Sequence, residues 1–358
     1  MTASLSIMSA VNRLRSPGAR SAFGSPEDIL AHAASISDPF GKRLERIATG
    51  RFGFSDIRSI SKIYPIIGDH DLYQRHIETL AGRRLFPELQ SRKFVGTGFG
   101  ASSLNAYRLV TLSGEQAPVI EKVYDARSAE AMRVQWFYSN GRAHLGSGAR
   151  VPALERLVRS DRVLIVYFET LDFRPATPDE LLSIHARLWR GLKPVEDPTI
   201  PEASIRDFRL TYPYKVGFRE LRRRTDSADA KDALYRAEAG LLQGTLGRRR
   251  IFAHYDMTPD NVSSDGALID LDRCGIYPDG LDAAFILARN FGALSHAEAM
   301  ERLKQEGIIL QPSEMPGFLF LYAVFLACRV HEKKVAPHHL DVAVREFCLA
   351  MGVAPPRS

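Results

Sequence analysis

The residues best suited to chemistry lie between Ile251 and Asp272. His254, Asp256 and Asn261 occupy a polar stretch, Asp265-Gly266 follows, and Ile269-Asp270-Leu271-Asp272 closes the segment. An aspartate can accept or orient the proton of a hydroxyl. Asn and Asp oxygens are the hard donors that Mg²⁺ prefers. Asp-Gly is the composition of a tight hairpin turn. The segment therefore reads as an apolar strand end, a polar loop, a turn and a second apolar strand. Alternate strand residues point to one side, so Asp270 and Asp272 are expected on a common face. Taken singly, each residue is explained as polar decoration of a hairpin. Asp256 could act as a base, and Asn261 and Asp270 could supply oxygen ligands to a cation.

Two further features lie upstream. Gly96-Thr97-Gly98-Phe99-Gly100 sits between two expected strands. Glycines at Gly96, Gly98 and Gly100 would let backbone N–H groups approach phosphate oxygens closely. About two dozen residues on, Lys122 interrupts the apolar strand Val119–Tyr124. A buried lysine is costly unless it is paired. Glu121 is expected on the opposite, solvated face.

His254-x-Asp256-x-x-x-x-Asn261 followed by Ile269-Asp270 resembles the catalytic loop and metal-binding strand of the aminoglycoside phosphotransferase and choline kinase family, small-molecule relatives of the protein kinases. The resemblance covers roughly Lys93 to Asn290. It implies an α+β, bilobal protein kinase-like fold: a small five-stranded antiparallel N-lobe with one helix, and a larger, mainly helical C-lobe. It also implies ATP and Mg²⁺ as cofactors, with Asp256 as the base, His254 bracing the loop, and Asn261 and Asp270 on the metal. Gly96, Gly98, Gly100, Lys122 and Glu130 would bind the nucleotide. Asp282 matches an acidic residue that anchors loop backbone in the family. Val163–Leu171 falls at the position of the interlobe hinge, where backbone groups would receive adenine. Thr258 stands where kinases of Ser and Thr carry lysine, Asp270-Leu271-Asp272 replaces Asp-Phe-Gly, and Ala-Pro-Glu is missing. These departures point to the small-molecule branch. Tyr255 is bulkier than is usual there, and the hairpin between Asn261 and Asp270 is short.

The elements that must position these residues are legible in outline. Residues 1–24 form a basic tail with Arg13, Arg15 and Arg20 and no acid. Residues 25–92 read as a helical extension, opened by the cap Ser25-Pro26-Glu27-Asp28 and including an apolar stripe over Asp69–Leu80. The N-lobe spans 93–170, with strands at Lys93–Gly96, Asn105–Leu112, Val119–Tyr124, Val151–Val158 and Arg162–Phe168, and a helix over Ala126–Ser139. The C-lobe spans 171–358. It opens on the capping box Thr177-Pro178-Asp179-Glu180 and continues with a helix over Ala228–Leu246.

Composition excludes several other classes. The chain has 358 residues, 45% hydrophobic and 25% charged, which is globular composition. There is no internal repeat. Three dispersed cysteines form neither a zinc motif nor a disulfide framework. The longest apolar run, Gly317–Val330, is shorter than a membrane span of ~20 residues. Net charge is +6, and the basic clusters at Arg219–Arg224 and Arg248–Arg250 read as helix faces and ends, not as a nucleic-acid surface. The expected enzyme is an ATP- and Mg²⁺-dependent phosphotransferase acting on a hydroxyl of a small metabolite such as an amino alcohol, a sugar or an aminoglycoside-like compound. It would work in the cytoplasm, or in an organelle matrix if the basic terminus is a transit peptide. The alternative is an inactive pseudokinase serving as a nucleotide-binding regulatory module. Joint retention of Lys122, Asp256, Asn261 and Asp270 speaks against it. Asp207, Tyr212, Tyr214, Asp226 and Asp229 fall in the region that makes the acceptor site, without singling out a substrate.

Overall fold

The computed structural model describes residues 25–96, 103–104, 106–145, 149–195, 209, 211–246, 249–292 and 294–355. The chain forms two compact units, one of residues 1–132 and 152–171, the other of 133–151 and 172–358. The basic tail, Gly98, Gly100 and Asp207 lie outside the described residues.

The first unit holds the expected five-stranded antiparallel sheet. Its strands are β1 (Leu89–Gly96), β2 (Tyr107–Leu112), β3 (Val119–Asp125), β4 (Leu154–Arg159) and β5 (Val163–Glu169), in the order β1-β2-β3-β5-β4. The central strand β3 pairs with β5 from Val119↔Glu169 to Asp125↔Val163. Helices α1 (Pro26–Ile36), α2 (Asp38–Ala48), α3 (Phe54–Ile60), α4 (Tyr64–Ile67) and α5 (His70–Ala81) precede the sheet. Ser25 caps α1 by accepting from the Asp28 amide, as the sequence predicts, and Asp69 caps α5 by accepting from the Leu72 amide. These helices share one apolar core with the sheet, running from Ile29 through Tyr73 and Ile77 to Val123, Ile165 and Tyr167.

That shared core overturns one expectation. Glu121 is fully buried, not solvated, because the face of β3 opposite Lys122 is covered. Its carboxylate takes a bidentate pair from Arg108 on β2, Nε to Oε1 at 2.7 Å and Nη2 to Oε2 at 2.8 Å. The rings of Tyr73 and Phe86 lie 4.6 and 4.9 Å from the guanidinium carbon. Burial works against the Arg108 charge, but Glu121 outweighs it and holds the guanidinium above its ordinary pKa. Two unpaired charges could not be kept at zero exposure.

Helix α6 (Ala129–Ser139) begins three residues later than the sequence suggests. Asp125–Ser128 is spent on a turn in which the Ser128 hydroxyl accepts from the Ala131 amide.

The second unit is mainly helical. Its elements are α7 (Pro178–Gly191), α8 (Tyr212–Arg224), α9 (Ala228–Gln243), α10 (Leu281–Asn290), α11 (His296–Gln305), α12 (Met315–His331) and α13 (Pro337–Ala350), with a two-stranded ribbon of β6 (Arg250–Ala253) and β7 (Gly275–Pro278). The Thr177–Glu180 capping box opens α7 as expected. Helix α12 is buried along almost its whole length, and among the described residues no helix is long and apolar enough to cross a membrane. It packs against α8 at Gly217. A Cβ there would stand 2.0 Å from the Val324 carbonyl oxygen, so only glycine permits the approach.

Candidate active site

The ribbon determines where the polar loop begins and ends. Strand β6 delivers His254 into the core, and the chain returns through Leu268–Asp270 before β7 pairs back, with Ala253 opposite Gly275. Asp282, in the first turn of α10, clamps the start of the loop. Its two oxygens accept from the His254 and Tyr255 amides, each at 2.8 Å. This is the anchoring expected of Asp282. It also suits an anion at the N-terminal end of a helix. His254 is 1% exposed, and its Nε2 lies 2.8 Å from the Ile269 carbonyl oxygen, which ties the loop to the returning segment.

Asn261 is held three ways. Its amide donates to the Thr258 carbonyl at 2.9 Å, its carbonyl accepts from the Ile269 amide at 2.9 Å, and its Nδ2 donates to the Asp256 carbonyl at 3.0 Å. With the Nδ2 end of the amide committed inward, Oδ1 is the end left for a cation. The turn on Asp265-Gly266 forms as predicted. Gly266 has φ +92, and Asp265 Oδ1 accepts from the Ala267 amide.

The second strand does not form as expected, so Asp270 and Asp272 do not share a strand face. Pairing between the two limbs is reduced to an isolated Val262–Leu268 bridge. Asp270 is left-handed, with φ 59 and ψ 60, and Leu271–Arg273 follows as a single 3₁₀ turn. A left-handed residue breaks the two-residue alternation on which that expectation rests. Asp270 is exposed, whereas Asp272 is buried at 8% exposure.

Asp256 has 21% of its side chain exposed, and its Oδ2 lies 3.2 Å from Arg273 Nη1. Among the described residues, the other carboxylate oxygen carries no ion pair, which leaves one acceptor open. Arg273 escaped the sequence reading. Burial opposes its charge, and Asp256, Tyr255, Asp270 and Asp272 together outweigh that and raise its pKa. A basic residue three positions after Asp270, inside a carboxylate cluster that needs a counter-charge, was the available signal. Tyr255, bulkier than is usual at this position, adopts φ 61, a conformation costly for any side chain. Full burial against Tyr277, Phe285 and Phe325, with its hydroxyl 2.6 Å from Thr211 Oγ1, holds it there. Burial drives its phenol far above the ordinary pKa.

In the other unit, Gly96 ends β1 and Lys122 is 7% exposed on β3. The Lys122 ammonium lies 5.4 Å from the Tyr107 ring centre and 5.2 Å from that of Tyr124. Glu130 sits partly buried in the first turn of α6. Together with Asp125 it supports the charge of Arg58, whose pKa is nonetheless lowered, first by burial. Arg58, on the helical extension, was not anticipated.

Among the described residues no cluster of three or more His, Cys, Asp or Glu side chains gathers around a metal-sized space. Asn261 and Asp270 offer oxygen donors, the type that hard cations such as Mg²⁺ prefer.

No family model and no curated protein matches the chain. Solved structures are similar to it at low identity. A spectinomycin phosphotransferase in complex with ADP and spectinomycin is 11% identical at a TM-score of 0.41, covering 78% of this chain and 98% of that one. A macrolide 2′-phosphotransferase from Brachybacterium faecium is 13% identical at 0.40, covering 80% and 98%. An aminoglycoside phosphotransferase from Streptomyces rimosus is 18% identical at 0.41, covering 65% and 92%.

Proposed function

We propose that the chain is a small-molecule kinase that moves the γ-phosphoryl group of MgATP to a hydroxyl of a small metabolite. The observation that carries this reading is the loop itself. Asp256 sits on a backbone fixed at one end by Asp282 and at the other by Asn261, its side chain is 21% exposed, and among the described residues one of its carboxylate oxygens carries no ion pair. That is how an acceptor hydroxyl would be oriented, with its proton received at Asp256 as the new O–P bond forms. Arg273, 3.2 Å from Asp256 Oδ2, would fix its rotamer. Asn261 Oδ1 and the exposed Asp270 carboxylate would hold Mg²⁺, which would offset negative charge on the nucleotide phosphates. In the sheet unit, Lys122 would supply a fixed cation to the α- and β-phosphates, with Glu130 orienting it and the Gly96–Gly100 backbone donating to phosphate oxygens.

Arg273 also gives the pseudokinase reading its one specific support. A guanidinium on the candidate base substitutes for the proton that the base would take. If that pair holds through the reaction, the chain would bind nucleotide without turnover.

Thermal unfolding tests the reading. A ligand at 100 times its Kd stabilises by about 2.7 kcal/mol, so millimolar MgATP is expected to raise Tm by several degrees. An unmoved Tm in a well-folded sample would defeat nucleotide binding in either reading. ATP consumption screened across amino alcohols, sugars and aminoglycosides then separates the enzyme from the pseudokinase.

A further inference from the structure

Two buried imidazoles line a cavity beneath the loop, and each presents a nitrogen with no hydrogen-bond partner among the described residues. His185, on α7, is 4% exposed with Nε2 unpartnered, and His254 is 1% exposed with Nδ1 unpartnered. The cavity is walled by Leu145, Leu188, Phe252, Met257 and Leu268, with Asp282 as its third polar member. About 10 Å³ is open to the centre of a water molecule, which is the room one water needs.

The proton positions follow from the partners. A carbonyl oxygen only accepts, so His254 Nε2 carries the proton it gives to Ile269, and in that Nε2–H tautomer Nδ1 presents a lone pair. Leaving such an acceptor dry is costly. His185 faces Asp282 and Asp279, which favour its charged form, but burial comes first among the influences and lowers its pKa. One water can serve both rings.

We propose that a single buried water joins His185 Nε2 to His254 Nδ1, making His185 a positioning residue for the loop that carries Asp256. The water accepts from His185 Nε2–H, donates to His254 Nδ1 and gives its second proton to the Asp282 carboxylate. Those three bonds are the usual number for a buried water. Its effect is to complete the clamp. His254 is then fixed on both ring nitrogens, and the loop is fixed through Asp282 and Ile269 together. The significance for catalysis rests on the phosphotransferase reading, whereas the water bridge itself does not.

The test uses the full chain with ¹⁵N-labelled histidine. In the wild type, His254 is expected to be the Nε2–H tautomer with an Nδ1 resonance typical of a hydrogen-bonded lone pair. His185→Leu is expected to move that Nδ1 resonance and to speed hydrogen exchange at the Tyr255 amide roughly tenfold or more. Gln places its amide nitrogen near the position of Nε2, whereas Asn places its own near Nδ1. His185→Gln is therefore expected to restore both readouts and His185→Asn neither. The proposal is overturned if Nδ1 of His254 is unmoved in His185→Leu, or if Asn rescues as well as Gln. Should Leu fail to fold, the Gln and Asn pair alone decides. The MgATP thermal shift, read on the same samples, keeps the two claims apart. An absent shift with the histidine coupling intact sinks only the kinase reading, and a present shift with His254 unmoved sinks only the bridge.

Discussion

At the residue scale, the site separates into groups with different expected penalties. Asp256→Asn keeps the shape of the side chain and removes its charge. The expected loss in phosphotransfer rate is roughly 10²–10⁴-fold, the span of a positioned acid or base, with the MgATP-induced rise in Tm retained. Turnover at the wild-type rate, assayed with an accepted hydroxyl compound, would remove Asp256 from the mechanism. Asp270 and Asp272 should separate differently. Asp270 is exposed, so Asp270→Ala is expected to abolish the Mg²⁺-dependent part of nucleotide binding, with a smaller loss of stability than Asp272→Ala causes. Asp272 is buried, so Asp272→Ala is expected to lower stability first. Nucleotide titrations with and without Mg²⁺, beside Tm values for both variants, check this, and the opposite pattern would exchange their roles. The residue types and spacing of the loop were legible because each is chemically specific. The face on which Asp272 lies was not, since nothing in Ile-Asp-Leu-Asp announces a left-handed residue. Glu121 was misread for a related reason. Alternation says which residues share a face, but not whether that face is covered.

At the element scale, the strands and capped helices were readable to within a few residues, because period and capping chemistry are local. Which helices press together was not readable, because a close approach is decided by shape at one point. Gly217 is such a point, and its substitution is a direct probe of the α8–α12 contact. Gly217→Ala would place a methyl 2.0 Å from the Val324 carbonyl oxygen, closer than atoms can stand. The expected cost is about 3 kcal/mol, at the upper end for overpacking, because backbone and not a flexible side chain must yield. Urea unfolding is expected to show a lowered midpoint with an unchanged slope. A midpoint within error of the wild type would mean that the two helices can part without penalty.

At the scale of the whole molecule, acid should reveal the unit that contains the sheet. His70 and His76 both titrate at about 4, chiefly because burial disfavours their charged forms. In the unfolded chain they take up protons near pH 6.5. Above that value neither state is protonated, and neither residue makes stability depend on pH. As pH falls from about 6.5 toward 4 the unfolded state alone gains protons, so stability declines across that window. His76→Phe and His70→Phe are expected to flatten the fall in Tm over this range, and unchanged slopes would show that other groups dominate. The buried pair Arg108–Glu121, in the same unit, has a consequence for how such a sequence can change over time. Losing either partner alone strands a charge at zero exposure, a change on the order of 3–5 kcal/mol, against a typical total of about 5–15. Replacement of both by apolar residues of similar volume is often harmless. The two ends of the path are viable and the single steps between them are not. Descendants of this chain should therefore carry both residues or neither, and the positions should be inherited as one unit long after their neighbours have drifted.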